Sequence, residues 1–600
     1  MSYIAPLKDM MFVMKELAGL DRVATLPGFE DATEETAQAV LAEIAKFCGE
    51  VVAPLNAQGD RNPSTWLDGK VTTTAGFKEA FRQFSEGGWQ GVMHPVEYGG
   101  QGLPKLIATP CLEMLKAANL SFSACPSLTD GAIEALLIAG SQAQKQLYLP
   151  KLVSGTWTGT MNLTEPQAGS DLALLRARAE PQGDGCYKIF GTKIFITWGE
   201  HDMADNIVHL VLARTPDAPE GVKGISLFIV PKFLVNEDGS LGERNDVHCV
   251  SIEHKLGIKA NPTAVLQYGD NGGATGYLIG EENRGLEYMF IMMTAARFSV
   301  GMEGLGVSGR AYQKAAAYAK ERVQGRPSDG SARHAVAIIH HPEVRRMLAT
   351  MRALTEGARA LAYVAAGHCD MAHRHPDPAT RAEHHALYEF LVPVIKGWST
   401  ELSLEVTGLG VQVHGGVGFI EETGAAQYYR DARILPIYEG TTAIQANDLV
   451  GRKTVRDGGE VAKTILAQID QTLAALQAHV SYESSAAFPA LHRHLAAGRG
   501  AFANAIEFMI AHFRSDPNAA FIGSVPYLKL TGIVLCGWQM ARALLVAADR
   551  MADDPSFYGA KIATAHFYAT HVLPQAIALE LTILSGRGGE GVLALAEDQF

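Results

Sequence analysis

Positive charge is in short supply: 51 lysines and arginines face 64 aspartates and glutamates over 600 residues, for a formal net charge of −13 with histidine neutral. That balance excludes a general nucleic-acid binder, whose affinity comes mainly from neutralising phosphates; it leaves room for a local basic pocket around one phosphorylated ligand. Cysteine is scarce too. The seven (Cys48, Cys111, Cys125, Cys186, Cys249, Cys369 and Cys536) lie far apart without a CxxC pair, in a chain long enough to need no staples, so they read as reduced core thiols of a cytoplasmic protein. No run reaches the roughly 18 uninterrupted apolar residues of a membrane span, so no transmembrane segment is expected. The opening MSYIAPLKDMMFVMKELAGLDR breaks its apolar stretch with Lys8, Asp9, Lys15 and Glu16, which a secretory signal would not tolerate. No internal repeat is visible. The histidine groups at 340–341, 373/375, 384–385 and 492/494 bring no carboxylate–histidine spacing that closes a metal site; they read as exposed helix-end residues, and no metal is expected.

What is present is three or four structural units' worth of chain. After an N-terminal helical arm (1–33), residues 34–156 carry apolar residues at three-to-four spacing and read as an all-α domain. Between its helices, HPVEYGGQGLP cannot continue a helix and marks a loop. Over 157–285 the pattern changes to short β-branched and aromatic runs (CYKIFGTKIFITW, NIVHLVLART, GISLFIVPK) with Gly and Asp turns. With no long helix between them, they predict an antiparallel sheet or barrel, not a parallel α/β sheet. Long helical segments return over 286–453 as a bundle, broken at Gly325–Ser331 and His375–Pro378, and an appended α-helical domain fills 454–600. The fold class is therefore mainly α with a central β domain. GLGVSG at 304–309 matches GxGxxG but lies inside a helical pattern with no preceding strand, so it reads as helix-packing glycine. SGRGGEGV near the C-terminus reads as a turn.

Three stretches carry chemistry. NLTEPQAGSDL (162–172) turns at Pro166 and Gly169 and offers Thr164, Ser170 and nearby amides to an oxygen-rich ligand, or is a self-bonded turn. GTKIFITWG (191–199) alternates as a strand, so Phe195 and Thr197 share a face that could cover a flat ring system or belong to ordinary β-core. QVHGGVGF (412–419) allows close backbone approach at Gly415 and Gly416. It is followed by RDARILPIYEGTTAIQ, where Thr441 or Thr442 can cap a helix and Glu439, flanked by Tyr438 and Gly440, can serve as a tuned general base or a structural carboxylate.

Together these stretches resemble the acyl-CoA dehydrogenase family, from about Pro95 to Lys453, with QLYLPKLVSG, HKLGIKANPT and GEENRGLEYMF adding to the match. The length beyond Lys453 resembles a subgroup with an extra helical C-terminal domain, which includes enzymes for long-chain acyl-CoA and for 3-methylmercaptopropionyl-CoA. The resemblance implies FAD contacts at Thr164, Phe195, Thr197 and Thr441, and contacts to the FAD of a neighbouring subunit from Arg322, Gln412, Gly415 and Gly416. It implies substrate contacts at Ser170, Arg297, Tyr438 and Gly440. Glu439 matches the family's base; some relatives place theirs just before the arginine matched by Arg297, where this chain has Ala296. Gln324, Gln427 and Ala443 depart from the usual residue types.

The implied reaction is α,β-dehydrogenation of a medium- to long-chain acyl-CoA to the trans-2-enoyl-CoA. The α-proton would go to Glu439 and the β-hydride to flavin N5, in at least a homodimer served by an electron-transferring flavoprotein. A 3-methylmercaptopropionyl-CoA dehydrogenase, an acyl-CoA oxidase and a silent acyl-CoA-binding flavoprotein are the alternatives.

Overall fold

A computed structural model describes residues 3–586 and 590–600; the middle of the SGRGGEGV segment, Arg587–Gly589, lies outside the described residues. The first domain is built from α1 (Glu34–Phe47), α2 (Phe77–Glu86), α3 (Lys105–Ala118), α4 (Leu120–Ala139) and α5 (Gln142–Val153). Their starts are chemically marked. Asn119 caps α4 by accepting from the Phe122 N–H at 3.1 Å, and Ser141 with Gln144 forms a reciprocal capping box on α5. In the loop before α3, a Cβ on Gly100 would sit 2.0 Å from the His94 carbonyl oxygen, so this chain crossing admits only glycine.

The middle domain holds β1 (Trp157–Asn162), β2 (Arg178–Pro181), β3 (Tyr187–Thr197), β4 (Asn206–Ala213), β5 (Ser226–Pro231), β6 (Val247–Ile252), β7 (Thr263–Tyr268) and β8 (Ala274–Ile279). They form one eight-stranded sheet in the order β6-β7-β3-β8-β5-β4-β1, with β2 paired to β3. The expectation of a purely antiparallel sheet is corrected at one place: β1 runs parallel to β4. Thr158, Thr160 and Asn162 are buried on β1, and α4 covers it so closely that a Cβ on Gly159 would fall 2.4 Å from the Ala132 methyl.

The bundle consists of α6 (Gly285–Glu321), α7 (Pro342–Arg374) and α8 (Pro378–His414), followed by α9 (Ala425–Ala432) and α10 (Thr442–Asp448). Proline at the first position of α7 and α8 fits the orphan N–H groups there. The glycines of GLGVSG do pack helices. A Cβ at Gly304 would meet the Ser399 carbonyl of α8 at 2.3 Å, and one at Gly306 the Ala117 nitrogen of α3 at 2.9 Å. Helices α11 (Glu460–Ala478), α12 (Ala487–His512), α13 (Ser524–Asp549), α14 (Pro555–His571) and α15 (Gln575–Leu584) make the appended domain. It seats on the bundle where Trp398 of α8 faces Gly532 of α13. The junction with the arm is ionic: Asp9 meets both Lys561 of α14 and Arg359 of α7, and Arg359 also holds Glu113 of α3 at 2.6 Å.

By length and composition three segments, Leu120–Ala139, Ser524–Asp549 and Pro555–Leu584, are apolar enough to cross a membrane, contrary to the reading from uninterrupted runs. Within the fold 61% and 83% of the first two windows are buried, against 33% of the third. All seven cysteines are unbridged. His384 is not a helix-end residue: it lies inside α8, its ring 2.7 Å from that of His368.

Candidate active site

Glu439 sits at the tip of a tight turn. Tyr438 N–H donates to Ile434 O at 3.2 Å and Thr442 N–H to Pro436 O at 3.0 Å, closing residues 434–442 on themselves. The apex takes backbone angles that only such closure sustains: φ is +53° at Glu439 and +91° at Gly440. A Cβ at Gly440 would stand 2.6 Å from the Gln445 amide nitrogen, which itself donates to the Gly440 carbonyl at 3.2 Å. The Glu439 N–H makes no hydrogen bond within the chain among the described residues, so it is free to donate to a ligand.

Lys396, fully buried on α8, clamps the turn from below by donating to Leu435 O at 2.9 Å and Gly440 O at 2.7 Å. Burial brings its ammonium down to about 8, against the upward pull of Glu439. The Glu439 carboxyl is pushed up, first by burial; Glu303 adds to the rise, and Lys396 and Arg297 oppose it. Tyr438 donates its hydroxyl to Glu303 of α6, and Glu303 pairs with Lys116 of α3 at 3.0 Å. Arg297 of α6 is buried, not the surface residue a lone helix arginine suggests; it meets Asp448 of α10 at 3.3 Å, while its Nε has no partner among the described residues. Lys396, Glu303 and Lys116 were not singled out in the sequence. Their one signal was a lysine or glutamate inside an apolar run, as in FLVPVIKGWS.

On the sheet, Ile194 N–H donates to Thr164 O at 2.9 Å, joining the 162–172 loop to β3. Glu165 secures that loop through Lys193 at 2.8 Å and the Arg176 and Ala177 amides. Strict alternation fails at Phe195. The β3/β7 register slips between Lys193 and Ile196, and the extra residue puts Phe195 at φ +58°. The bulge turns its ring outward to 59% exposure, so it is no core residue; Thr197 is half-buried and Ser170 exposed.

Thr441 is the cap of α10, accepting from the Ile444 N–H at 3.3 Å, and Thr442 donates instead to Glu401. Arg322, Gln412, Gly415 and Gly416 all lie exposed at one end of the bundle, with open space where Cβ atoms of Gly415 and Gly416 would be. Gln412 is sixteen residues along α8 from Lys396, about 24 Å at the helical rise, so one chain does not bring this group to Glu439. Gln427 is no open contact: it is buried and bonds the Asn56 carbonyl at 3.1 Å.

An outward aromatic ring on a bulge, hydroxyls beside it and glycines open to close approach suit a flat cofactor with a polyol and phosphates. A half-buried carboxylate whose proton affinity is raised, at the tip of its own turn, suits abstraction of a carbon-bound proton. Comparison with known proteins defines the class. Residues 34–156 match the family model "Acyl-CoA dehydrogenase, N-terminal domain", 160–270 the middle domain and 283–453 the C-terminal domain. Residues 465–589 match "Acetyl-CoA dehydrogenase C-terminal like". The chain belongs to the acyl-CoA dehydrogenase family, FAD-dependent oxidoreductases acting on CH–CH bonds.

Among its relatives is the 3-methylmercaptopropionyl-CoA dehydrogenase of Ruegeria pomeroyi, 54% identical over 575 residues that cover 96% of each chain. Another is the broad-specificity linear acyl-CoA dehydrogenase FadE5 of Mycobacterium tuberculosis, 35% identical over 95% of this chain and 96% of that one. The fold matches an acyl-CoA dehydrogenase from Bacillus anthracis complexed with FAD at a TM-score of 0.73, with 21% identity over 96% of this chain and 91% of the other.

Proposed function

We propose that the protein desaturates a short acyl-CoA between Cα and Cβ, with 3-methylmercaptopropionyl-CoA as its substrate and Glu439 as the base. The observation that carries the base assignment is the turn itself: a half-buried carboxylate fixed at positive φ, its affinity for a proton raised first by desolvation. Glu439 takes the α-proton and keeps it, while its own N–H polarises the thioester carbonyl as charge develops on oxygen. Bound FAD supplies the acceptor for the hydride leaving Cβ. Thr164, Phe195 and Thr197 would lie against its ring system, with Thr441 near. Arg322, Gln412, Gly415 and Gly416 would hold the cofactor of a second copy, which makes a homodimer the working unit. Arg297 keeps the wall beside the turn in place through Asp448.

The chain length expected from sequence is revised. The 54% identity to a 3-methylmercaptopropionyl-CoA dehydrogenase along the whole chain favours a short thioether acyl group. The cavity between α3, α4 and α6 would take such a group. Electrons would leave to an electron-transferring flavoprotein, and seven unbridged thiols support a reducing, cytoplasmic setting. The test is anaerobic bleaching of flavin absorbance by acyl-CoAs of two to sixteen carbons and by 3-methylmercaptopropionyl-CoA, with Glu439→Gln beside the wild type. Bleaching by the thioether and short chains, lost in the variant, is expected. No bleaching, or an equally fast variant, overturns the reading, and rapid peroxide formation in air would make the enzyme an oxidase.

A further inference from the structure

The cavity between α3, α4 and α6 is lined by apolar groups that include Leu115 and Phe298, and by polar ones that include Lys105, Asp130, Ser127 and Ser299. Ser299 stands out. It is only 8% exposed, and its hydroxyl has no hydrogen-bond partner among the described residues, although most serines inside long helices return theirs to a backbone carbonyl. It lies two residues beyond Arg297 and one helical turn before Glu303, so Ser299 and Glu303 share a face of α6.

Glu303 lies behind this lining, tied to it through Lys116 and Ser127. It joins Tyr438, the residue before the base, to Lys116, and Lys116 Nζ donates on to the Ser127 hydroxyl at 3.0 Å. Lys116 and Glu303 are 1% and 3% exposed. They form an ion pair that an aliphatic chain growing past it would have to strip of partners, at the cost of two bare buried charges.

We propose that these groups set substrate choice: the Lys116–Glu303 pair is the floor of the acyl slot, and the Ser299 hydroxyl donates to an acceptor heteroatom of the acyl chain beyond Cβ. The inference rests on the reaction proposed above and adds which residues read the chain. A thioether sulfur is a weak acceptor, and a hydroxyl otherwise left unpaired rewards even a weak one. An all-carbon chain of equal length leaves that hydroxyl unpaired. A longer chain meets the ion pair.

The experiment compares kcat/KM of the flavin-loaded full chain for 3-methylmercaptopropionyl-CoA and pentanoyl-CoA, which differ by sulfur against methylene, in the wild type and Ser299→Ala. The wild type is expected to prefer the thioether, and the variant to lose about fivefold of that ratio, as for one modest hydrogen bond. A ratio that moves less than twofold overturns the Ser299 role. In parallel, the double variant Lys116→Ala/Glu303→Ala is expected to raise octanoyl-CoA relative to pentanoyl-CoA by at least tenfold. A folded, flavin-loaded double variant without that gain overturns the floor. Ser299→Ala deletes one oxygen from a helix, so its ratio decides the heteroatom contact even where the double variant does not fold. If the wild type oxidises no thioester, the reaction reading falls and this inference with it; oxidation with an unmoved ratio removes this inference alone.

Discussion

The two sides of the candidate site are built by opposite rules. Around Glu439 the chain is over-determined: Lys396 holds two carbonyls of its turn, Gln445 a third contact, and Tyr438 runs through Glu303 to Lys116. Of the residues assigned to FAD, Thr164 and Thr441 are held by backbone bonds and most of the rest stand open. Phe195 projects outward, and Arg322, Gln412, Gly415 and Gly416 lie on the surface. The sealed side must hold a carboxylate at one height and one protonation poise before any ligand arrives. The open side can leave its final order to a cofactor and a second subunit, which supply the missing contacts.

That contrast can be broken from the sealed side first. Glu439→Gln keeps the shape of the turn and removes the base; substrate-driven bleaching should slow by ~10³-fold or more, with flavin content unchanged. Next in size is the ionic junction that backs the sealed side. Burial alone would raise the Asp9 carboxyl, but Lys561 and Arg359 outweigh it and hold it down at about 2. Its contribution is therefore complete above the ordinary value of 3.8 and is lost as pH falls towards 2. Asp9→Asn removes a carboxylate shared by two buried cations, which keep Glu113 and Glu356 as their other partners, and should cost about 2 kcal/mol in denaturant melts at pH 7, and the gap to wild type should close as the pH drops through that window. Lys396→Met should lower kcat/KM by ~10–100-fold by freeing the turn. Because Lys396 holds the Glu439 carboxyl down, the acid limb of the pH profile should also move to higher pH in this variant. Smallest is the open side: Arg322→Ala should weaken FAD retention by ~10-fold in dilution experiments, with the acid limb unmoved, because Arg322 is far along α6 from the base.

Most of the fold was legible from periodicity: the helix–sheet–helix order, the bundle breaks around Gly325 and Pro378, and the packing glycines at 304 and 306. The parallel pairing of β1 with β4 was not, because strand direction depends on which segments meet and not on alternation within either. The bulge at Phe195 was hidden for a related reason: a register slip against β7 leaves no mark in the spacing of β3. In the site, Glu439 and its turn could be found because chemistry concentrates there in consecutive residues. Lys116 and Glu303 could not, since they are 187 positions apart, and each alone reads as an ordinary charge in a helix until the fold places it opposite its partner.

The glycines of α6 set one more constraint. At Gly301 and Gly304 the helix lies against the backbone of α8, and at Gly306 against that of α3, with Cβ positions 2.3–2.9 Å from backbone atoms of its neighbours at 301, 304 and 306. A helix wedged in this way can neither roll nor slide when a different acyl chain must be accommodated. A change of acyl-chain length is therefore left to side-chain swaps on a stationary frame: a substitution at position 299 or 303 has to be accommodated by the side chains around it, while the rod that carries both stays where it is.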